Sequence, residues 1–289
     1  MSGNVFIAVD WGTTNRRAYL IDDGCVVRTE HDALGIRSVP RGGFAAAAAA
    51  LRAAFGDPPM LLAGMVGSTI GWADAGYVEC PATLADLARQ RVAVADGIEI
   101  VPGVKSLLGG RGDVMRGEEV QLLGAVADGL VPGRALLCQP GTHTKWARMA
   151  EGAITAFTTS MTGELFAILK DHALIGSAMT GAVTDGPAFR EGIARSGEND
   201  LLAALFGVRP ASLLGLRPDT DAASFVSGLL IGSDARAQAA TGETVYLLSD
   251  PVLGTLYAKA IEAVGGSAVR IDSHAAFIAG ISRIWELSR

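Results

Sequence analysis

Apolar residues run unbroken from Val5 to Val9 and stop at a carboxylate, Asp10. Such a run of β-branched and aromatic side chains predicts a strand buried on both faces. The chain then turns through Gly12-Thr13-Thr14-Asn15 and leaves along a second apolar strand, Ala18-Tyr19-Leu20-Ile21. Gly43 to Phe55, rich in alanine, predicts a helix that Asp57-Pro58-Pro59 ends. Met60-Leu61-Leu62-Ala63-Gly64 predicts another buried strand, and a glycine-rich, ligand-lining loop follows from Met65 to Trp72. Helices are expected over Thr83 to Ala93 and over Met115 to Asp128, with a strand ending along Ile98 to Gly103 between them.

The second half repeats the opening. Ala135-Leu136-Leu137-Cys138 leads into Gln139-Pro140-Gly141-Thr142-His143-Thr144-Lys145-Trp146-Ala147, again strand, Gly-Thr turn, strand. Long helices over Phe189 to Phe206 and Ala222 to Ala240 come next. A strand at Val245 to Asp250, a helix from Pro251 to Val264, a strand at Ala268 to Ile271 and a closing helix from His274 to Ser288 complete the pattern. Alternating strands and helices place the chain in the α/β class. Its 289 residues suit two domains, 1–131 and 132–289, with the boundary near Gly129 to Gly133.

Composition narrows the partners. The net charge is −6 and the basic residues are spread thinly, which speaks against nucleic acid. Gly or charge interrupts every apolar stretch before spanning length, so no membrane segment is expected. Met1-Ser2-Gly3-Asn4 lacks the basic start of a signal peptide. Cys25, Cys80 and Cys138 are odd in number and far apart, which fits free thiols in a reducing compartment and a cytoplasmic protein.

The candidate chemistry sits at the two Gly-Thr turns. Successive N–H groups in such turns make a concave anion site. Asp10 at a strand end can hold a hydrated Mg²⁺ against phosphates, since hard cations take oxygen ligands and keep waters. A surface hairpin with an Asp at its mouth remains the alternative for the first turn taken alone. Two such turns about one domain apart are far more specific than either. No G-x-x-x-x-G-K-[ST] loop and no strand-to-helix G-x-G-x-x-G competes.

Asp10-Trp11-Gly12-Thr13-Thr14-Asn15 resembles the first phosphate motif of the acetate and sugar kinase, heat-shock chaperone and actin superfamily. That resemblance implies a two-lobed, actin-like (ribonuclease H-like) ATPase fold with a nucleotide cleft between duplicated lobes. Gly117-Glu118-Glu119 resembles the helix start where such kinases, and the related exopolyphosphatases, keep a catalytic carboxylate. An N-terminal helix dipole would keep it ionised. Glu118 is the first choice of base, Asp113 the second and Glu119 the third; acidic residues in a first helical turn are also favourable without any such role. Family members usually carry a Gly-Gly pair at the adenosine, where this chain has Ser249-Asp250. A helix N-cap there is compatible with nucleotide contact.

Leu62 to Trp72, Tyr77 to Ala82, Pro140 to Trp146 and Phe157 to Phe166 are similar to the corresponding segments of the 2-keto-3-deoxygalactonate kinases. The resemblance implies transfer of the γ-phosphoryl of ATP to the 6-hydroxyl of 2-dehydro-3-deoxy-D-galactonate, with Mg²⁺. It implies phosphate binding by Gly12, Thr13, Thr14, Asn15, Gly141, Thr142, His143, Thr144 and Lys145, with Ser249 and Asp250 at the adenosine. His143 could equally stabilise its turn. Met65, Gly67, Ser68 and Trp72 would meet the sugar acid. Arg17, Lys105, Arg111 and Arg116 are candidates for its carboxylate, for which a bidentate Arg is best suited, although each also suits a solvated surface. Trp11 and Trp72 could cover the sugar's carbon face or belong to the core. His31, His172 and His274 stand in no motif. Other readings are a different sugar or sugar-acid acceptor, an exopolyphosphatase-like hydrolase, and a chaperone- or actin-like switch ATPase. A homodimer is compatible with the sequence.

Overall fold

The computed structural model describes residues 5–289; the side chain of Leu108 and the Met1-Ser2-Gly3-Asn4 segment used above lie outside the described residues. Two compact units form. The first comprises Met1–Arg134, Ala147–Phe157 and Asp272–Arg289, and the second Ala135–Trp146 and Thr158–Ile271. The chain crosses between them at Arg134/Ala135, and 147–157 and 272–289 return to the first unit.

The chain opens with β1 (Phe6–Trp11), β2 (Arg16–Asp22), β3 (Cys25–Asp32), α1 (Phe44–Ala54) and β4 (Met60–Ala63). Next come β5 (Tyr77–Glu79), α2 (Leu84–Arg89), β6 (Val92–Ala95), β7 (Ile98–Ile100), β8 (Gly103–Ser106), β9 (Asp113–Met115) and α3 (Glu118–Ala127). Then follow β10 (Ala135–Gln139), β11 (Thr144–Ala150), β12 (Ala153–Ser160), α4 (Thr162–Asp171), α5 (Pro187–Arg195), α6 (Leu201–Phe206), α7 (Val208–Leu213) and α8 (Asp219–Gln238). The remaining elements are β13 (Thr244–Leu248), α9 (Pro251–Ala263), β14 (Ser267–Ile271) and α10 (Ser273–Glu286).

The main sheet of the first unit has the order β3-β2-β1-β4-β7-β6, and a second sheet has the order β12-β11-β10-β13-β14. Counting strands within each sheet, the first runs 3-2-1-4-6-5 and the second 3-2-1-4-5, so the shared order 3-2-1-4 makes the repeat read in the sequence a repeat of topology. β1 pairs antiparallel with β2 and parallel with β4, placing Asp10 opposite Arg17 and Ala63. The central strands are buried along both faces, as their continuous apolar runs require. Ile7, Val9, Trp11, Phe44, Leu51 and Leu62 form the core of the first unit; Leu136, Trp146, Phe189, Leu247 and Tyr257 form that of the second.

Three expected elements differ. The helix expected over Thr83 to Ala93 ends at Arg89. Thr83 caps it through a reciprocal bond with Asp86, and Val92–Ala95 instead pairs antiparallel with β7, where its β-branched residues suit a pleated surface. The helix expected from Met115 starts at Glu118. Gly117 has φ 103°, which helical geometry forbids, and Asp113–Met115 pairs with β8. The helix expected from Phe189 to Phe206 is divided after Arg195 by a short 3-10 turn, and Asn199 adopts a left-handed conformation at φ 57°.

α3 is fixed by close packing on α10. A Cβ at Gly124 would fall 2.0 Å from the Ala276 carbonyl, and one at Gly280 would fall 2.0 Å from the Val120 carbonyl. The absent side chains let the two backbones touch, and this sets where the N-terminus of α3 lies. Among the described residues no helix is long and apolar enough to cross a membrane.

Candidate active site

The first turn is braced from its carbonyl side. Ile36, Arg37 and Gly35 donate their N–H groups to the carbonyls of Gly12, Thr13 and Thr14 at 3.0, 3.2 and 3.1 Å. The N–H groups of Thr13 and Thr14 take no part in these bonds, and Thr14 and Asn15 are exposed. A turn held this way presents donors, as an anion site needs.

Asp10 lies half-buried near the end of β1. Burial pushes its carboxyl up to about 6; Arg17 opposes this and Glu118 adds to it. The backbone brings the two acids near one another. Gly64, at φ 93°, packs so closely on β1 that a Cβ would sit 2.9 Å from the Trp11 carbonyl and 3.4 Å from Asp10 Oδ1. A Cβ at Gly117 would in turn sit 3.0 Å from Gly64 Cα. The N-terminus of α3 therefore abuts the end of β4 beside Asp10.

Glu118 and Glu119 share the first turn of α3. Glu118 is half-buried and its Oε2 accepts the Arg116 N–H at 3.1 Å. Glu119 is fully buried, and its two oxygens accept the Gly117 N–H at 2.9 and 2.7 Å. Burial, with Glu118 adding to it, pushes the Glu119 carboxyl up to about 8. Glu119 thus closes the helix end from inside, while Glu118 is the accessible carboxylate. Asp113 lies on the separate β5-β8-β9 sheet, opposite Ser106 and 3.8 Å from Arg111.

The cationic candidates separate by their partners. Arg17 Nη1 and Tyr19 Oη lie 3.2 and 3.0 Å from His274 Nδ1. Because guanidinium only donates, Nδ1 is the unprotonated nitrogen; burial and then Arg17 hold the imidazole below its usual range. Lys105 pairs with Glu79 at 3.3 Å. Arg116 is buried, stacked 4.3 Å from the Tyr77 ring and bonded to the Gly76 carbonyl at 3.0 Å. Its Nη1 would lie 3.0 Å from a Cβ at Gly67, so this arginine braces the loop after β4.

In that loop the Ser68 hydroxyl and N–H both bond the Met65 carbonyl, and Trp72 donates its N–H to Val66. Trp72 lines a cavity of about 660 Å³ with Val39, Arg41, Phe44, Thr69 and Ile70. Arg41, which the sequence did not single out, is exposed there and forms no ion pair among the described residues. Trp11 lies in the core of the first unit. It is fully buried, donates Nε1 to the Leu34 carbonyl at 2.8 Å and packs on Phe44, so its role is in the core.

In the second unit, the Gly141–Thr144 turn packs against the start of α4. A Cβ at Gly163 would fall 2.4 Å from the Gly141 carbonyl, and Glu164 donates its N–H to the Thr142 carbonyl at 2.9 Å. His143 is exposed and its Nε2 meets Glu164 at 2.7 Å. Thr144 is fully buried with its hydroxyl 2.6 Å from that of Tyr257, and Lys145 is buried with Nζ on Thr159 at 2.9 Å. A cavity of about 170 Å³ adjoins the turn, lined by Gly141, Gly163, Phe166, Leu230, Leu253 and Tyr257 among others. Asp250 is the N-cap of α9, accepting from Val252 and Leu253 at 2.9 and 3.0 Å. Ser249 Oγ is buried beside Gly254 without a hydrogen-bond partner among the described residues.

A family model described as 2-keto-3-deoxy-galactonokinase matches residues 10–284. The Rhizobium meliloti (strain 1021) protein called "Probable 2-dehydro-3-deoxygalactonokinase DgoK1" is 39% identical, with 98% of each chain covered. The Escherichia coli (strain K12) 2-dehydro-3-deoxygalactonokinase is 35% identical over 96% of this chain and 97% of its own. A Sinorhizobium meliloti protein whose crystal structure bears the name of the same activity superposes with a TM-score of 0.90, at 37% identity over 96% of this chain and 97% of its own. The Clostridium difficile activator of 2-hydroxyisocaproyl-CoA dehydratase, solved with bound ADPNP, superposes with a TM-score of 0.51 at 11% identity, over 98% of this chain and 95% of its own, a likeness of fold alone. The fold is the mixed α/β, actin-like ATPase fold that these neighbours share.

Proposed function

The chain belongs to the 2-keto-3-deoxy-galactonokinase family, and from that premise we propose that it transfers the γ-phosphoryl group of ATP to the 6-hydroxyl of 2-dehydro-3-deoxy-D-galactonate. It is a phosphotransferase with an alcohol acceptor. The observation that carries the site assignment is the meeting of Asp10 and the Gly117-Glu118 helix start across Gly64. A phosphate-binding turn, a carboxylate for a cation and a carboxylate for a proton then occur within one unit.

In this reading Glu118 accepts the proton of the 6-hydroxyl as its oxygen attacks the γ-phosphorus. The bond from that phosphorus to the β-phosphate oxygen breaks, and ADP leaves with the electron pair. Catalysis of this kind rests on positioning and charge stabilisation. The open first turn can hold phosphate oxygens in the first unit, and the Gly141–Thr142 turn with His143 can do so in the second. Thr144 and Lys145, both buried, support the second turn from behind. The apolar cavity beside Gly141 suits an adenine ring better than the capped Ser249-Asp250 turn does.

Asp10 fits a divalent cation. Its acidity is weakened by burial and by a neighbouring anion, and a bound cation offsets both effects. Asp10 would hold Mg²⁺, which would supply positive charge against the charge that develops on the phosphates. The sugar acid lies along Met65, Gly67, Ser68 and Trp72. Arg41, exposed beside Trp72, meets its carboxylate, whereas Lys105 and Arg111 are paired with Glu79 and Asp113, Arg17 faces His274 and Arg116 gives Nη2 to the Gly76 carbonyl. The free, widely spaced cysteines fit a cytoplasmic setting.

The test is ADP release with ATP and Mg²⁺, comparing 2-dehydro-3-deoxygalactonate, its gluconate epimer and no acceptor. Release with the galactonate form alone is expected. Equal release without an acceptor would overturn the kinase reading in favour of a hydrolase.

A further inference from the structure

Asp234, near the end of α8, is only 7% exposed. Its carboxylate accepts from Trp146 Nε1 at 3.0 Å, Thr162 Oγ1 at 2.9 Å, Tyr257 Oη at 3.2 Å and the Ser160 hydroxyl. Four donors on two oxygens form a shell suited to an anion. They oppose the burial that raises its pKa. Nothing in the phosphoryl-transfer chemistry uses this carboxylate.

The donors come from the elements around the second turn. Trp146 follows the Gly141–Thr144 turn within β11. Thr162 opens α4, whose next residue, Gly163, touches the Gly141 carbonyl. Tyr257 stands on α9, lines the apolar cavity and bonds Thr144. With the Tyr257 proton given to Asp234, Thr144 must donate to Tyr257, so the hydroxyls are ordered Thr144 to Tyr257 to Asp234. Thr144 then directs its proton away from any phosphate. A single buried carboxylate joins three walls of the cavity.

We propose that Asp234 is a positioning residue for the nucleotide, holding the second phosphate turn and the starts of the cavity walls in binding geometry without touching the ligand. This rests on the ATP assignment above. Removing an acceptor from a buried, charge-assisted set leaves donors unpaired, and effects of that kind change affinity by about tenfold or more.

The experiment measures ADP affinity by calorimetric titration of the full chain, together with KM for ATP and for the sugar acid. Asp234→Asn is expected to raise the ADP Kd and the ATP KM by about tenfold or more, leaving the sugar-acid KM within about twofold. Trp146→Phe, which removes one donor outside the cavity lining, is expected to shift ADP affinity in the same direction by less. Unchanged or tighter ADP binding in a folded Asp234→Asn protein would overturn the proposal, even if its melting temperature fell. Should Asp234→Asn fail to fold, unchanged ADP binding in Trp146→Phe overturns it instead. If the unmodified chain binds ADP but phosphorylates none of the acceptors, the acceptor assignment falls, and the ADP affinities of the variants still decide this proposal.

Discussion

Glu118 and Glu119 are neighbours in one helical turn, yet burial gives them opposite chemistry. Glu118→Gln keeps the size and the Arg116 contact but cannot take a proton; kcat should fall about 10²- to 10⁴-fold, with ADP affinity measured by titration unchanged. Glu119 should show itself in stability. Its folded carboxyl titrates near 8 and an unfolded one near 4.5, so the folded state binds the extra proton between those values. Its contribution is complete below about pH 4.5 and is lost as pH rises through about 8. Denaturant melts across that window should therefore flatten in Glu119→Gln. Arg41→Ala should raise the sugar-acid KM about tenfold or more and leave the ATP KM alone in steady-state kinetics. The acidic pair was legible as a Gly-Glu-Glu helix start. Which member is accessible was not, because burial depends on β4 and α10, distant in sequence. Arg41 carries no local signal, being one arginine before a glycine pair, and only the fold puts it on one cavity with Trp72.

At the level of elements, the first turn and its flanking strands were readable because a central strand of this class is a continuous apolar run. The α2–β6 region was misread for a physical reason. Val92-Ala93-Val94-Ala95 satisfies either period over so short a span, and only pairing with β7 settles it. Asp234 was invisible because its partners Trp146 and Thr162 lie 88 and 72 residues away. The contact between α4 and the second turn yields its own test. Gly163→Ala places a methyl 2.4 Å from the Gly141 carbonyl, and the backbone must shift to relieve it, at a cost of about 1–3 kcal/mol. Nucleotide titration should show weaker ADP binding, while the sugar-acid KM stays unchanged.

For the whole molecule, the repeated strand order was legible as two Gly-Thr turns one domain apart, whereas the interleaving of the units was not. Hydrophobic patterning marks elements and says little about which core a late helix joins. If Asp10 holds Mg²⁺, chelation by EDTA should abolish turnover and remove most of the rise in melting temperature that saturating ADP and Mg²⁺ produce. Lowering the pH through about 6 should weaken apparent Mg²⁺ affinity as Asp10 takes up a proton. The return of α10 to the first unit has one more consequence, in the order of biosynthesis. Trp285 stacks on Phe6 with ring centres 4.6 Å apart, Phe277 lies 5.8 Å from Tyr19, and Gly280 seats α10 on α3. β1, made well before α10, therefore waits for that helix to complete its packing, and the unit that holds both closes after the other. A nascent chain stalled after Ile271 should already protect the second unit from protease while the first remains open to cleavage.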